Sequence, residues 1–295
     1  MGTPTAHTVR TRYGVFAIDE VRDKKMAEAL ESDEYPNEGL LSVARQFVSE
    51  KSTVVDIGAH IGTFALPIAK EVEKVIAFEP SSKAFDLLSR NAKENAVALR
   101  LVNKALGSEK GNGTLVVRNT SNAGANTLVP GGDIPVTTLD DEVAHADFIK
   151  IDVEGMELDV LRGGVRLIER ARPVVLFEVN VSQLRMHGAS PRALERFFTK
   201  REYQLYAPLE QKNGALARVD SATLLTMFIA PRALLFFSDS APFDLVAVPV
   251  EQPLPFPYVG FKSAIRYAIG NNLASKYKRL AAVFHRMRGL YFSEI

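Results

Sequence analysis

The sequence predicts an α/β protein: a mostly parallel sheet of seven strands with helices on both faces, a cap ahead of it and a basic helical extension after it. Three observations carry that prediction. Short β-branched runs alternate with helical patterns, an acidic residue near the end of the first run leads into a glycine turn, and the composition is that of a folded chain. At 295 residues, one large domain with appended segments is expected. Hydrophobic residues form 46% and charged residues 24% of the chain, which excludes disordered and fibrous classes. Cysteine is absent, which excludes disulfides, thiolate metal sites and a cysteine nucleophile and fits a reducing compartment.

Residues 1–50 are read as the cap, irregular over 1–35 and helical over Glu38–Ser49. Met1–Arg12 is polar and lacks the apolar core of a signal peptide, so a cytoplasmic location is expected. Residues 51–250 hold the sheet. Its strands are placed at Thr53–Ile57, Lys74–Phe78, Leu99–Asn103, Phe148–Asp152, Val174–Glu178, Tyr203–Tyr206 and Phe243–Val250. Between them, Pro80–Asn95 sets Phe85, Leu88 and Ala92 on one helical stripe, and Ser190-Pro191 opens a helix with a capping serine and a proline at its first position. Gly107–Thr137, rich in Gly, Asn and Thr, reads as a hairpin and loop before the fourth strand. The apolar run Leu224–Phe237 is broken by Pro231 and Arg232 and falls short of the ~20 residues that span a bilayer, so it is assigned to the core.

The last segment, 251–295, is electrostatically distinct. From Phe261 onward it carries seven basic residues against Glu294 alone, while the whole chain has a net charge of only +1. Ile265, Ile269 and Leu273 form one helical stripe and Leu280, Phe284 and Met287 another. Such a basic amphipathic pair suits packing against the domain or a second subunit, and also peripheral contact with an anionic surface. Nucleic acid is not expected as a partner, because no recognition module accompanies the basic residues.

The chemistry concentrates in two stretches. The first is Val54–Phe64, where Asp56 precedes a turn through Gly58, Ala59, His60 and Gly62 into a helix. Glycines there let backbone approach a ligand, and the following helix offers free N–H groups. The spacing is not that of a dinucleotide fingerprint, because His60 and Thr63 occupy the positions of its later glycines. Glu79, 23 residues beyond Asp56 and followed by Pro80, suits a carboxylate that accepts both hydroxyls of a ribose. The second stretch is Thr138-Leu139-Asp140 followed by Ile149–Gly155.

Together these stretches resemble the FkbM family of methyltransferases. The motifs occur in order at Val55–Gly62, Phe78-Glu79-Pro80, Ala105-Leu106-Gly107, Thr138-Leu139-Asp140, Ile149–Gly155 and Phe177-Glu178, spanning roughly residues 35 to 250. The run Ile149-Lys150-Ile151-Asp152-Val153-Glu154-Gly155 is the most specific of them. The resemblance implies a class I, Rossmann-like methyltransferase fold, S-adenosylmethionine as methyl donor, and a hydroxyl oxygen of a sugar, glycan or natural product as acceptor. It also places Asp56 and the turn from Gly58 to Gly62 at the methionine end, Glu79 at the ribose, and Asn103 to Ala105 beside adenine. Asp152 falls near the sulfonium. His60 departs from the asparagine often found in the family.

Methyl transfer to oxygen is an in-line displacement for which proximity supplies much of the rate. If a base takes part, Asp152, Glu178 and His187 are the candidates, with Glu154 close by. Asp152 and Glu178, with Asn180 as an oxygen ligand, also have the chemistry to bind Mg²⁺, but no confirming ligand spacing is visible and no metal site is assigned. Two other readings stay open: an NAD-dependent oxidoreductase on a related fold, and a non-catalytic binding or scaffold protein.

Overall fold

The computed structural model describes residues 7–21, 23–32, 35–117, 126–208, 216–219 and 242–254. The first elements are a hairpin, His7–Thr11 (β1) and Gly14–Ile18 (β2), and two helices, Lys24–Glu31 (α1) and Glu38–Ala44 (α2). Then come Thr53–Ile57 (β3), Ala65–Ile68 (α3), Lys74–Phe78 (β4), Ser82–Glu94 (α4) and Arg100–Val102 (β5). A small sheet is supplied by Ala105–Leu106 (β6), Gly111–Val117 (β7), Asn126–Pro130 (β8) and Ile134–Thr137 (β9). Leu139–Glu142 (α5) leads to Phe148–Ile151 (β10), Glu157–Arg162 (α6), Val165–Ala171 (α7), Val174–Val179 (β11), Val181–Met186 (α8) and Pro191–Thr199 (α9). Tyr203–Pro208 (β12), Leu216–Val219 (β13) and Phe243–Pro249 (β14) complete the described elements.

The main sheet has the order β13-β12-β14-β11-β10-β3-β4-β5. From β11 to β5 all neighbours are parallel, while β14 runs antiparallel between β11 and β12. This is an α/β architecture with a mixed sheet. The expected count of seven strands is corrected to eight among the described residues. The added strand, β13, pairs antiparallel with β12 at the sheet's edge, and its four residues are too short a run to show alternation. Both faces are covered. Val54 packs into one apolar cluster and Val55 into the other, and both are fully buried, which is why the parallel strands read as continuous apolar runs.

The described part of residues 1–35 is a hairpin and a helix, not the irregular cap expected there. Val9 faces Phe16 across the hairpin, and Phe16 and Ile18 are buried. Two asparagines one turn apart, Asn91 on α4 and Asn95 at its C-cap, satisfy the free edge of β2. Asn91 Oδ1 accepts from Ala17 N at 2.7 Å and Asn95 Oδ1 from Val15 N at 2.9 Å, and their amides donate back to the carbonyls of the same residues. The helix expected over Pro80–Asn95 is Ser82–Glu94, capped by Ser81 through Ala84 N, and the start read at Ser190-Pro191 holds, with Ser190 capping α9 through Ala193 N. The helix expected over Glu38–Ser49 is shorter, Glu38–Ala44. Within 107–137, the expected hairpin is β7-β8, extended by β9 and β6 into a four-stranded sheet.

The basic extension from Phe261 and the apolar run 224–237 lie outside the described residues. Among those described, no helix is long and apolar enough to cross a membrane. What matters for function is the sheet order. After β3 the chain winds outward to β4 and β5, then returns to place β10 on the other side of β3. Such a reversal opens a crevice at the carboxyl ends of β3 and β10.

Candidate active site

The turn that closes this crevice is fixed by backbone contacts. Gly58 has φ +81°, and a Cβ there would lie 1.8 Å from the carbonyl oxygen of Asp152. Only glycine lets the turn cross the end of β10. Gly58 N and Ala59 N both donate to Phe78 O at 3.0 Å, which ties the turn to the end of β4. Gly62 serves packing, since a Cβ there would meet Leu66 Cδ1 at 2.0 Å and Leu88 Cδ1 at 2.7 Å.

A cavity of about 230 Å³ lies against this turn. Of the residues singled out in the sequence, Gly58, Ala59, His60, Glu79, Pro80, Ala105, Asp152 and Glu178 line it. Asp56, Gly62, Asn103 and His187 are not among its lining residues. Asp56 stands behind the turn, fully buried, and its Oδ1 accepts from Lys150 Nζ at 3.1 Å. Asn103 supports the wall, donating from Nδ2 to Glu79 O at 2.8 Å and to Pro80 O at 3.3 Å. His187 ends α8, with its N–H directed to the last carbonyls of that helix.

Glu79 is held at both oxygens: Oε2 accepts from His60 N and Oε1 from Ser81 N, each at 2.8 Å. Burial pushes its carboxyl up, against His60 and these two N–H groups, which favour the charged form. The His60 ring meets Asp23, with Nε2 2.8 Å from Oδ2. Burial favours the neutral imidazole, but Asp23, Glu79 and Asp152 outweigh it and hold His60 above its ordinary range.

Besides Glu79, the cavity lining carries three further acids, Asp152, Glu154 and Glu178, with Lys104 and Lys150. Glu178 follows Phe177, which is in register with Ile151, so it stands level with Asp152 on the neighbouring strand. Burial, then Asp152, Glu154, Asp244 and Glu157, push Glu178 up to about 9. Burial and Asp152 push Asp244 up to about 7, against the pull of Lys150. Burial and Asp152 likewise raise Glu154 to about 7, against a hydrogen bond from Gln183 Nε2. These groups can therefore hold protons near neutral pH.

A magnesium site is not assembled from the suggested residues. Asn180 Oδ1 caps α8, accepting from Gln183 N at 3.4 Å, and also accepts from Ser182 Oγ at 2.8 Å. Among the described residues, His7, Glu20 and Glu31, all exposed, are the one His/Cys/Asp/Glu group with metal-binding spacing.

Sequence reasoning missed several contributors, Asp244, Met26 and Asn37 among them. Asp244 was legible in principle, as a charge inside the apolar strand Phe243–Pro249. Met26 and Asn37, which line the cavity from the N-terminal segment, carry no local signal of that role.

The hexuronic acid methyltransferase AglP of Haloferax volcanii is 27% identical over 134 residues, covering 43% of this chain and 56% of that protein. The methyltransferase sdnD of Sordaria araneosa is 29% identical over 153 residues, covering 37% and 59%. The chain thus spans less than two thirds of either relative. Among solved structures, the methyltransferase FkbM of Methylobacillus flagellatus aligns with a TM-score of 0.42 at 18% identity, over 68% of this chain and 44% of that one. An rRNA methylase of Streptococcus thermophilus aligns with a TM-score of 0.42 at 12% identity, over 72% and 94%. Residues 56–205 match the methyltransferase FkbM domain, from the buried aspartate of β3 to the middle of β12, and the chain belongs to that family.

Proposed function

We propose that this chain transfers a methyl group from S-adenosylmethionine to a hydroxyl oxygen of a sugar, glycan or natural product. The observation that carries the reading is one cavity lined both by Glu79, held by His60 N and Ser81 N, and by Asp152, Glu154 and Glu178. A carboxylate with remaining lone pairs suits a ribose diol, and an acidic wall suits a ligand that is positively charged at its reacting end. The donor set therefore fits S-adenosylmethionine, while the turn lacks the glycine spacing of a dinucleotide site.

When bound, S-adenosylmethionine supplies an electrophilic methyl carbon on a positive sulfur. The residues of the chain do the rest. Glu79 accepts the ribose hydroxyls, the turn from Gly58 to His60 receives the methionine end, and Ala105, with Asn103 behind the wall, borders the adenine. Asp152 orients the acceptor hydroxyl opposite sulfur, where proximity supplies much of the rate. Glu178 keeps a proton at neutral pH, and a positive charge placed beside it lowers its pKa toward that of an effective base. AglP is named for hexuronic acid, which supports a sugar-like acceptor. On this reading residues 51–250 bind the donor, and the basic extension packs against the domain or a second subunit or meets an anionic surface.

The test is transfer of label from methyl-tritiated S-adenosylmethionine to a panel of glycosides and hydroxylated natural products. Label that survives mild alkali marks an ether on a hydroxyl. Label lost to alkali marks an ester on a carboxylate and would replace the hydroxyl reading.

A further inference from the structure

His60 sits in the left-handed region at φ +52°, which costs a residue with a side chain roughly 1–2 kcal/mol. Something must hold it there. Its ring Nε2 meets Asp23 Oδ2 at 2.8 Å, and the two side chains are only 16% and 5% exposed. Asp23 is the N-cap residue of α1, where an aspartate ordinarily accepts a hydrogen bond from its own helix. Here the side chain makes no cap bond. The same turn is tied to the N-terminal segment twice more, by Tyr35 Oη donating to Thr63 O at 2.7 Å and Asn37 Nδ2 to Thr63 Oγ1 at 2.8 Å.

We propose that Asp23 is a positioning residue for the nucleoside end of the site: through the His60 ring it fixes the left-handed turn whose N–H aims the Glu79 carboxylate. The inference rests on Glu79 being the ribose residue. The relay is short. Asp23 holds the ring, the ring holds the backbone of residue 60, and His60 N donates to Glu79 Oε2 at 2.8 Å. With Ser81 N on the other oxygen, the carboxylate has no freedom to rotate out of the cavity. The segment ahead of the first parallel strand is thereby part of the donor site. Loss of Asp23 frees His60 to leave its strained conformation, and the Glu79 carboxylate loses one of its two fixed donors.

The test compares S-adenosylhomocysteine with its 2′,3′-dideoxyribose analogue by calorimetry on the full chain. Asp23→Asn is expected to weaken the first ligand about fivefold and to leave the second within about twofold, since the analogue lacks the hydroxyls that Glu79 would accept. The double variant Asp23→Asn/His60→Gly is expected to recover most of the affinity, because glycine adopts the left-handed turn without a clamp. Melting curves confirm that each variant is folded. An Asp23→Asn chain that loses nothing, or loses both ligands equally, overturns this proposal alone. A wild-type chain that binds neither ligand overturns the donor reading and this proposal with it.

Discussion

Lys150 Nζ lies 3.1 Å from Asp56 Oδ1, and the side chains of this pair are 5% and 0% exposed. The same ammonium is 3.4 Å from Gly58 O and 3.6 Å from Asp152 Oδ2, so one charge binds β3, the glycine turn and the end of β10 together. Burial favours the neutral amine, but Asp56 and Asp152 outweigh it and hold Lys150 above its ordinary range. Lys150→Met would leave Asp56 buried without its counter-charge, and a destabilisation of about 3–5 kcal/mol is expected in urea unfolding. Adding Asp56→Asn should recover part of that loss. A cost below about 1 kcal/mol for the single variant would mean that the pair does not hold the crevice.

Gly58→Ala is expected to be the most damaging change in the turn. Its Cβ would meet a backbone oxygen, which cannot move aside as a side chain can, at a φ that alanine rarely adopts. A loss of about 3 kcal/mol or more should appear as a lowered melting temperature, with donor binding abolished. A variant that melts and binds like the wild type would show that the turn is not so constrained.

The acidic wall sets the pH dependence. Glu178 at about 9, and Asp244, Glu154 and Glu157 at about 7, bind protons in the folded chain that the unfolded chain has already released. Stability from these groups is complete below the ordinary carboxylate range and is lost as pH rises through about 7 and then about 9. His60, raised by its partners, works in the same direction. The melting temperature should therefore fall between pH 5 and pH 9. Glu178→Gln should flatten the fall and melt higher than wild type at the alkaline end. A wild-type melting temperature that rises over that range would contradict the assignment.

Much of this arrangement is legible in the sequence. The five parallel strands, the capped helices and the run from Ile149 to Gly155 announce themselves because each is specified within a dozen residues, by apolar runs, a serine before a helix, or a glycine in a turn. That Asp152, Glu79 and Glu178 share one cavity was readable because strand ends at a switch point converge. Asp23 and Asn37 were not, because each reaches the turn from a segment that no local pattern connects to it. Asp56 was expected at the methionine end, but its pairing with Lys150 spans 94 positions and places it behind the turn. His187 looked like a loop residue because α8 is a helix of only six residues.

If Asp152 orients the acceptor as proposed, Asp152→Asn should reduce turnover far more than donor affinity, since its neutral copy keeps the shape. General acid–base or orienting groups of this kind contribute about 10²–10⁴-fold. EDTA should change nothing, because Asn180 is committed to capping α8 and no metal-binding group is assembled beside Asp152 among the described residues. Activity abolished by EDTA and restored by Mg²⁺ would reverse that conclusion, and full turnover in both Asp152→Asn and Glu178→Gln would leave catalysis to proximity alone.

The central claim, that the crevice between β3 and β10 binds S-adenosylmethionine through Glu79, is tested most directly by titration calorimetry of S-adenosylmethionine and NAD against wild type and Glu79→Ala. Binding of S-adenosylmethionine and not NAD is predicted, weakened by about 1.5–3 kcal/mol in a folded Glu79→Ala chain through loss of charge-assisted hydrogen bonds to the ribose. Binding of NAD alone, or a Glu79→Ala chain with unchanged affinity for S-adenosylmethionine, would contradict it.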